Sequence, residues 1–252
     1  MDSTKKKKNQ VIPEPRRDLE LDALAEILNK ERFISCHSYV QSEINMLMKV
    51  ADSMGFTLNT FTHILEGYKV ADKMKAHGAG GSTFSDWWAY KYEVRDAIPH
   101  NASLLNEMGI VTAVNSDDAE MARRLNHEAA KGIKYGGMSE EDALKLVTLN
   151  PAKLLHIDDR VGSLKIGKDA DVVVWTDNPL SIYAKPAQTI VDGYVMFDET
   201  RDREMRKEIA AERARLIAKM LKAKLGGAET QAPNGKGTRI HNCNIITDDG
   251  NE

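Results

Sequence analysis

Cysteine is nearly absent from this sequence. Cys36 and Cys243 are the only two in 252 residues. Two thiols build neither a disulfide framework nor an all-cysteine zinc site. Cys36 sits in an apolar run and reads as a small core residue, whereas Cys243 lies in a polar stretch and reads as a free thiol. Long apolar runs are missing too. Stretches such as Val172-Val173-Val174-Trp175 fall far short of the ~20 residues a spanning helix needs, so no membrane partner is expected. Charge of one sign is not in excess, because 35 Lys and Arg against 38 Asp and Glu leave a net −3. That gives no global case for nucleic-acid binding. Lys5 to Lys8 precede Asn9, Gln10, Pro13 and Pro15 rather than an apolar stretch, so no signal peptide is expected.

What is present is a globular composition, 42% hydrophobic and 29% charged. The length is also near the ~250 residues of a complete (β/α)8 barrel. The first 17 residues read as a basic arm or linker. From residue 18 to residue 150 helical and strand patterns alternate. Leu19, Leu21, Leu24, Ile27 and Leu28 recur at helical spacing. Arg32 to Cys36 reads as a strand ending at His37. A helix with Ile44, Leu47, Met48 and Ala51 closes at Gly55. Phe56 to Thr62 reads as a strand ending at His63, and Tyr68 to His77 as a helix stopped by Gly78. Ser82 to Ser85 is a weaker strand ending at Asp86. A helix over 102–108 leads to a strand over 110–116 that ends at Asp117. Residues 119–132 and 139–149 read as helices, the second capped by Ser139. Strands alternating with helices imply βαβ units and a parallel sheet.

The character changes after Pro151. Residues 151–200 read as a small β module, with Asp192-Gly193 as a hairpin turn. Residues 201–225 read as a surface helix and 226–252 as a flexible tail.

His37, His63 and Asp117 each follow a strand of the expected parallel sheet. Strand C-termini in such a sheet open on one face, and that face carries the active site. Two imidazoles and a carboxylate there suit Zn²⁺ or a similar divalent ion. Taken singly, a His after a strand is more often a hydrogen-bonded structural residue. Of Asp117 and Asp118, one is expected to serve as ligand, and the other to orient it or meet solvent. Trp87, Trp88, Tyr90 and Arg123 are candidate pocket contacts for a small-molecule substrate. His100 reads as a surface residue. Gly78 to Ser82 lacks the ending of a phosphate loop, and Ser82 and Ser85 lie outside any nucleophile elbow. Asn101-Ala102-Ser103 matches a glycosylation triplet that carries no weight without a secretory signal.

One stretch is more specific. Thr148-Leu149-Asn150-Pro151-Ala152, followed by Gly162-Ser163-Leu164-Lys165-Ile166-Gly167-Lys168-Asp169-Ala170-Asp171, resembles the C-terminal part of the amidohydrolase superfamily, in its imidazolonepropionase-like branch. His63-Ile64-Leu65-Glu66-Gly67 and Val114-Asn115-Ser116-Asp117 resemble it as well. The resemblance spans about residues 18–200. It implies α/β architecture, the C-terminal half of a (β/α)8 barrel (strands five to eight) with part of a small β-sandwich. It implies that His37 and His63 are metal ligands and that Asp117 is both ligand and proton carrier. It implies hydrolysis of C–N bonds in amides or cyclic amides, with a divalent metal, most readily zinc, one or two ions in the complete enzyme. The sequence departs from the family in one respect: none of its seven histidines forms a His-x-His pair. The expectation is therefore a C-terminal fragment that is inactive alone and needs the missing N-terminal half of the barrel or an oligomeric partner. The alternative is a non-catalytic, barrel-derived binding module.

Overall fold

A computed structural model describes residues 15–224. The chain divides into two compact units between Phe197 and Asp198. The first opens with helix α1 (Leu19–Leu28), whose cap is Asp18. The Asp18 carboxylate accepts from the backbone N–H groups of Glu20 and Leu21 at 3.0 and 3.3 Å, satisfying donors that the first helical turn leaves free.

Four short parallel strands follow: β1 (Ser35–His37), β2 (Thr60–His63), β3 (Gly80–Thr83) and β4 (Thr112–Val114). They lie in the order β1-β2-β3-β4, with Cys36 beside Phe61, Phe61 beside Gly81, and Gly81 beside Thr112. Among the described residues, β1 and β4 are the two edge strands of this sheet, and the outer side of β4 is covered, with Val114 N–H donating to the Leu146 carbonyl at 3.0 Å.

The crossovers supply its cover. Helix α2 (Gln41–Met54) buries Ile44, Met48 and Ala51, one stripe at helical spacing. It lacks a side-chain cap of its own. The buried Glu66 carboxylate, from beyond β2, accepts from the Gln41 N–H at 3.0 Å and places a negative charge at that positive helix end. Helix α3 (Ala71–His77) and helix α4 (Asn101–Glu107) add Met74 and Leu105 to a core that includes Leu58, Phe61, Ile64 and Val70. Cys36 packs partly buried against this core, as its apolar setting implied.

Strand β3 begins two residues earlier than the sequence pattern placed it. Glycine normally weakens a strand, yet here it is required by proximity. A Cβ on Gly80 would lie 2.2 Å from a Leu154 methyl and 3.2 Å from the Val111 carbonyl, and one on Gly81 would lie 2.7 Å from an Ile64 methyl.

Two buried polar devices tie the crossovers down. Asn101 is 1% exposed. Its Oδ1 accepts from Tyr68 N–H at 2.9 Å, and its Nδ2 donates to the Ile64 carbonyl at 2.7 Å and to Thr83 Oγ1 at 2.9 Å. This burial leaves no room for a glycan on the triplet that starts there. Glu128 is 2% exposed; it pairs with Lys131 at 2.7 Å and accepts from the Ser85 hydroxyl, while Lys131 also pairs with Asp86.

The helices after β4 are more broken than the periodicity indicated. Residues 119–132, expected as one helix, form α5 (Ala119–Ala122) and α6 (Leu125–Gly136), because Arg124 leaves helical dihedrals at φ −133° and ψ 35°. Residues 139–149 likewise divide into α7 (Glu140–Lys145) and α8 (Leu149–Leu154), with Thr148 at φ −130° and ψ −85° between them. Ser139 caps α7 as expected, accepting from Asp142 N–H at 3.1 Å. Helix α8 runs through the point where the sequence changes character. Pro151 sits in its first turn, where a missing N–H costs nothing.

The two specific motifs meet here. Buried Asn150 donates to the Thr112 carbonyl at 2.8 Å and fastens α8 to β4. Gly162 has φ +83°, and a Cβ there would lie 2.7 Å from Ala152 Cβ and 3.0 Å from the Thr148 carbonyl. The Asn-Pro-Ala turn and the glycine beyond it are thus one packed unit.

A three-stranded sheet of β5 (Val172–Trp175), β6 (Pro186–Val191) and β7 (Tyr194–Asp198) completes the first unit. Asp192 and Gly193 turn from β6 to β7 with φ of +51° and +79°, as a type I′ hairpin turn requires. Val174, Tyr194 and Met196 are exposed. The second unit contributes α9 (Glu199–Lys224), which buries none of its residues. Among the described residues no helix is long and apolar enough to cross a membrane.

Candidate active site

His37 ends β1 and His63 ends β2, and their rings meet edge to face with centroids 4.1 Å apart. Parallel pairing brings this about. The two strand ends open on one side of the sheet, and the chain turns away immediately after each. His63 makes its turn with φ +69°, a left-handed conformation seldom adopted by residues other than glycine. Asp117 lies three residues beyond β4, and its Oδ2 is 3.7 Å from His63 Nε2. Of the three residues singled out by their positions in the sequence, His63 therefore neighbours both of the others.

Asp118 takes a different task. Its carboxylate accepts from the N–H groups of Glu120 and Met121, both at 2.9 Å, and so caps α5. Asp117, with its side chain 55% exposed, is left open to solvent.

His63 is held on its other nitrogen. Asn115 Nδ2 lies 3.1 Å from Nδ1, and Asn115 Oδ1 accepts from the Ser82 hydroxyl at 2.8 Å. Rotating the Asn115 amide by half a turn exchanges its oxygen and nitrogen. Nδ1–H then donates to the amide oxygen, Ser82 becomes the acceptor, and Nε2 presents a lone pair towards Asp117. The Ser82–Asn115 pair serves either tautomer. Burial lowers the His63 pKa from its ordinary value; Asp117 opposes that shift, while His37 and Lys91 reinforce it. The ring is held neutral, the form that ligates metals. Cys36, close by in β1, has its thiol pushed up by burial and by Glu43, which disfavours the reactive thiolate.

Aromatic rings wall the site. Phe84 stacks on His63 at 4.6 Å, Trp87 tilts against Phe84 at 5.7 Å, and Tyr90 meets Trp87 at 5.0 Å. Tyr39 closes the other side, 4.9 Å from His37 and 5.9 Å from His63. Of the four candidate pocket residues, Trp87 and Tyr90 join this wall. Trp88 instead meets Tyr135 at 5.8 Å, and Arg123 pairs with Glu120 on α5. His100 is exposed, as expected.

The donor chemistry fits a divalent ion. Ligand atoms ~2.0–2.1 Å from a tetrahedral zinc lie a little over 3 Å apart, close to the Nε2–Oδ2 distance. Yet among the described residues no group of three His, Cys, Asp or Glu is close enough together to hold an ion by itself. Tyr39, Phe84, Asn115 and Lys91 were not identified from the sequence. Asn115 carried one signal, two residues before Asp117 at the end of the same strand segment.

Residues 35–198 match the amidohydrolase family. The chain is 30% identical over 196 residues to Amidohydrolase tasK of Hapsidospora irregularis, a span of 76% of this chain and 20% of that protein. It is 24% identical over 168 residues to an imidazolonepropionase of Thermoplasma volcanium, 64% of this chain and 41% of the relative. It therefore spans well under half the length of both curated relatives. Among solved structures, an amidohydrolase from Thermotoga maritima superposes with a TM-score of 0.67 at 27% identity, over 74% of this chain and 49% of that one. A Xaa-Pro dipeptidase with bound methionine shares the fold, with a TM-score of 0.52 at 20% identity, over 70% and 48% of the two chains. With the strand-end histidines, the following aspartate and the fused Asn-Pro-Ala and glycine motifs all inside the matched span, this chain belongs to the amidohydrolase family.

Proposed function

We propose that this chain supplies half of the active site of a metal-dependent hydrolase that cleaves C–N bonds in small non-peptide amides or cyclic amides. The convergence of His37, His63 and Asp117 at neighbouring strand ends carries this reading. These three residues would contribute ligands to a divalent ion, zinc by preference for two imidazoles and a carboxylate, and the remaining ligands would come from the second half. Such an ion, when bound, supplies Lewis acidity and makes a coordinated water acidic, with a pKa of about 7. His63 contributes Nε2 while Asn115 and Ser82 fix the ring through Nδ1. Asp117 accepts the proton of the attacking water and delivers it to the leaving nitrogen. Its exposed carboxylate leaves space for that water. The Trp87, Tyr90 and Tyr39 rings hold the substrate's apolar body.

On this reading further strands complete a closed (β/α)8 barrel and a β-sandwich. The edge position of the largely exposed β1 and the exposed apolar residues of β5 and β7 support it. Those strands come from another part of the protein or from a partner chain. The isolated chain is then catalytically silent. The test is zinc content after equilibrium dialysis. Weak zinc binding that is lost in His37→Ala and in His63→Asn is the expected result. Cyclic-amide hydrolysis by the isolated chain, abolished in Asp117→Asn, would refute its dependence on a second half. A second reading, a non-catalytic binding subunit built from barrel strands, is favoured by the lack of a closed three-donor cluster among the described residues. Absence of bound zinc under all conditions supports that alternative.

A further inference from the structure

Helix α9 (Glu199–Lys224) lies beyond residues 35–198, the span that matches the amidohydrolase family. It runs for 26 residues and buries none of them. At roughly 1.5 Å per residue it is about 39 Å long. A helix in water gains little from propensity alone and is stabilised chiefly by what its apolar face packs against. Met205, Ile209, Leu216 and Met220 form such a face, and all four are exposed. At 3.6 residues per turn they fall within an arc of about 60°. The intervals between them are four, seven and four residues. The stripe therefore reads the same from either end, about a midpoint between Glu212 and Arg213.

The ridge beside this stripe is ordered by charge. After Arg201 it carries Glu204, Glu208 and Glu212, then Arg215, Lys219 and Lys222. These three acids and three bases share an arc of about 80°. Within one helix the order is unfavourable. Glu204 and Glu208, Glu208 and Glu212, and Arg215 and Lys219 are like charges four residues apart, the spacing at which they repel. Among the described residues, the ion pair inside this ridge is Glu212 with Arg215 at 2.6 Å, where the two blocks join. The order becomes favourable against a second helix running the opposite way. An antiparallel copy with its dyad near the midpoint sets Met205 opposite Met220 and Ile209 opposite Leu216. The same dyad sets Glu204 opposite Lys222, Glu208 opposite Lys219 and Glu212 opposite Arg215, each twice. On the other flank Lys224 comes opposite Asp202, and Arg213 faces its own copy. A parallel copy would set acid on acid and base on base. A partner of a single charge, such as an anionic surface, would satisfy only one of the two blocks.

We propose that α9 is an antiparallel dimerisation helix whose occupant is the α9 of a second copy of this chain. The contact is isologous, the same patch meeting itself across a two-fold axis. The apolar stripe supplies the buried seam, and the charged ridge fixes partner and orientation, as flanking charges do in coiled coils. This pairing is independent of the hydrolase reading.

The test is sedimentation equilibrium of the full chain and of charge-reversed variants. The unaltered chain is expected to dimerise. Glu208→Lys and Lys219→Glu each turn two attractive contacts into repulsive ones and should weaken the dimer about tenfold. Neither change harms the helix itself, because each breaks up a run of like charges within it. Mixing the two single variants should restore a dimer, now a heterodimer, and the double variant should restore a homodimer. Parallel pairing predicts no weakening in either single variant. A chain that stays monomeric, self-association unmoved by either reversal, or losses that neither the mixture nor the double variant recovers would overturn the proposal. A monomer that co-sediments with phosphatidylserine vesicles would overturn it too, and would assign the stripe to a lipid surface.

Discussion

Replacing Gly162 by alanine tests whether the two family motifs form one packed unit. Two penalties add at this position. The backbone has φ +83°, where an L side chain costs roughly 1–2 kcal/mol. The new methyl also meets Ala152 Cβ at 2.7 Å, the Thr148 carbonyl at 3.0 Å and Leu149 Cα at 3.1 Å. None of these is the free end of a flexible side chain, so relief requires movement of α8, and overpacking of this kind costs about 1–3 kcal/mol. Together they predict a loss of about 3 kcal/mol. Gly167 supplies the control within the same motif. Its φ is +93°, and a Cβ there meets nothing within 4 Å. Gly167→Ala then carries the backbone penalty alone, about 1 kcal/mol. Urea denaturation of the two variants, followed by far-ultraviolet circular dichroism, gives the difference directly. A gap of about 2 kcal/mol is expected. Equal losses in the two variants would refute the packing argument.

Three further outcomes are expected. Asn101→Ala removes the side chain that serves Tyr68, Ile64 and Thr83 together, and should cost about 3 kcal/mol in the same assay; a loss below about 1 kcal/mol contradicts it. Lys131→Met leaves Glu128 buried without its cation and should cost about 3 kcal/mol, with part recovered when Glu128→Gln is added; no recovery in the double variant counts against the charge explanation. His63 has its pKa lowered by burial, so between its native value and the unfolded value of about 6.5 the unfolded chain binds more protons. Its contribution is nil above about pH 6.5 and destabilises the fold as pH falls below that value. His63→Asn, which tolerates the left-handed backbone, should flatten that acid-side decline in metal-free protein; an unchanged slope assigns the decline to other groups.

The strand ends that carry the candidate residues were readable because a parallel alternation puts every strand C-terminus on one face. His37, His63 and Asp117 needed only their order along the chain. Which of two adjacent aspartates stays free was not readable from that order. It depends on whether Asp118 reaches the first N–H groups of α5, and the following helix start was the one local hint. The shift of β3 has a similar cause. Gly80 and Gly81 look like a loop until the approach of Leu154, Val111 and Ile64 is known. Arg123 could have been set aside sooner, since Glu120 lies three residues before it on the same helix face. Asn115 and Tyr39 reach His63 from two separate loops, and Lys91 reaches Tyr39 from a third. No spacing in the chain encodes a meeting of that kind, and it emerges only from packing.

The order β1-β2-β3-β4 has a consequence for how this sheet can be divided. Every strand pairs with the one before it in the chain, so a single cut in any connecting loop separates the sheet into two blocks of contiguous polypeptide. A sheet with crossed connections leaves a strand stranded on the wrong side of such a cut. Here each block keeps all its internal pairs and loses only one shared border. The exposed border is the same kind of surface that β1 already presents. The architecture is therefore modular at the level of the strand–helix unit. Permuted termini, exchange of a unit between copies, and assembly from separately made pieces all draw on the same pairing rule.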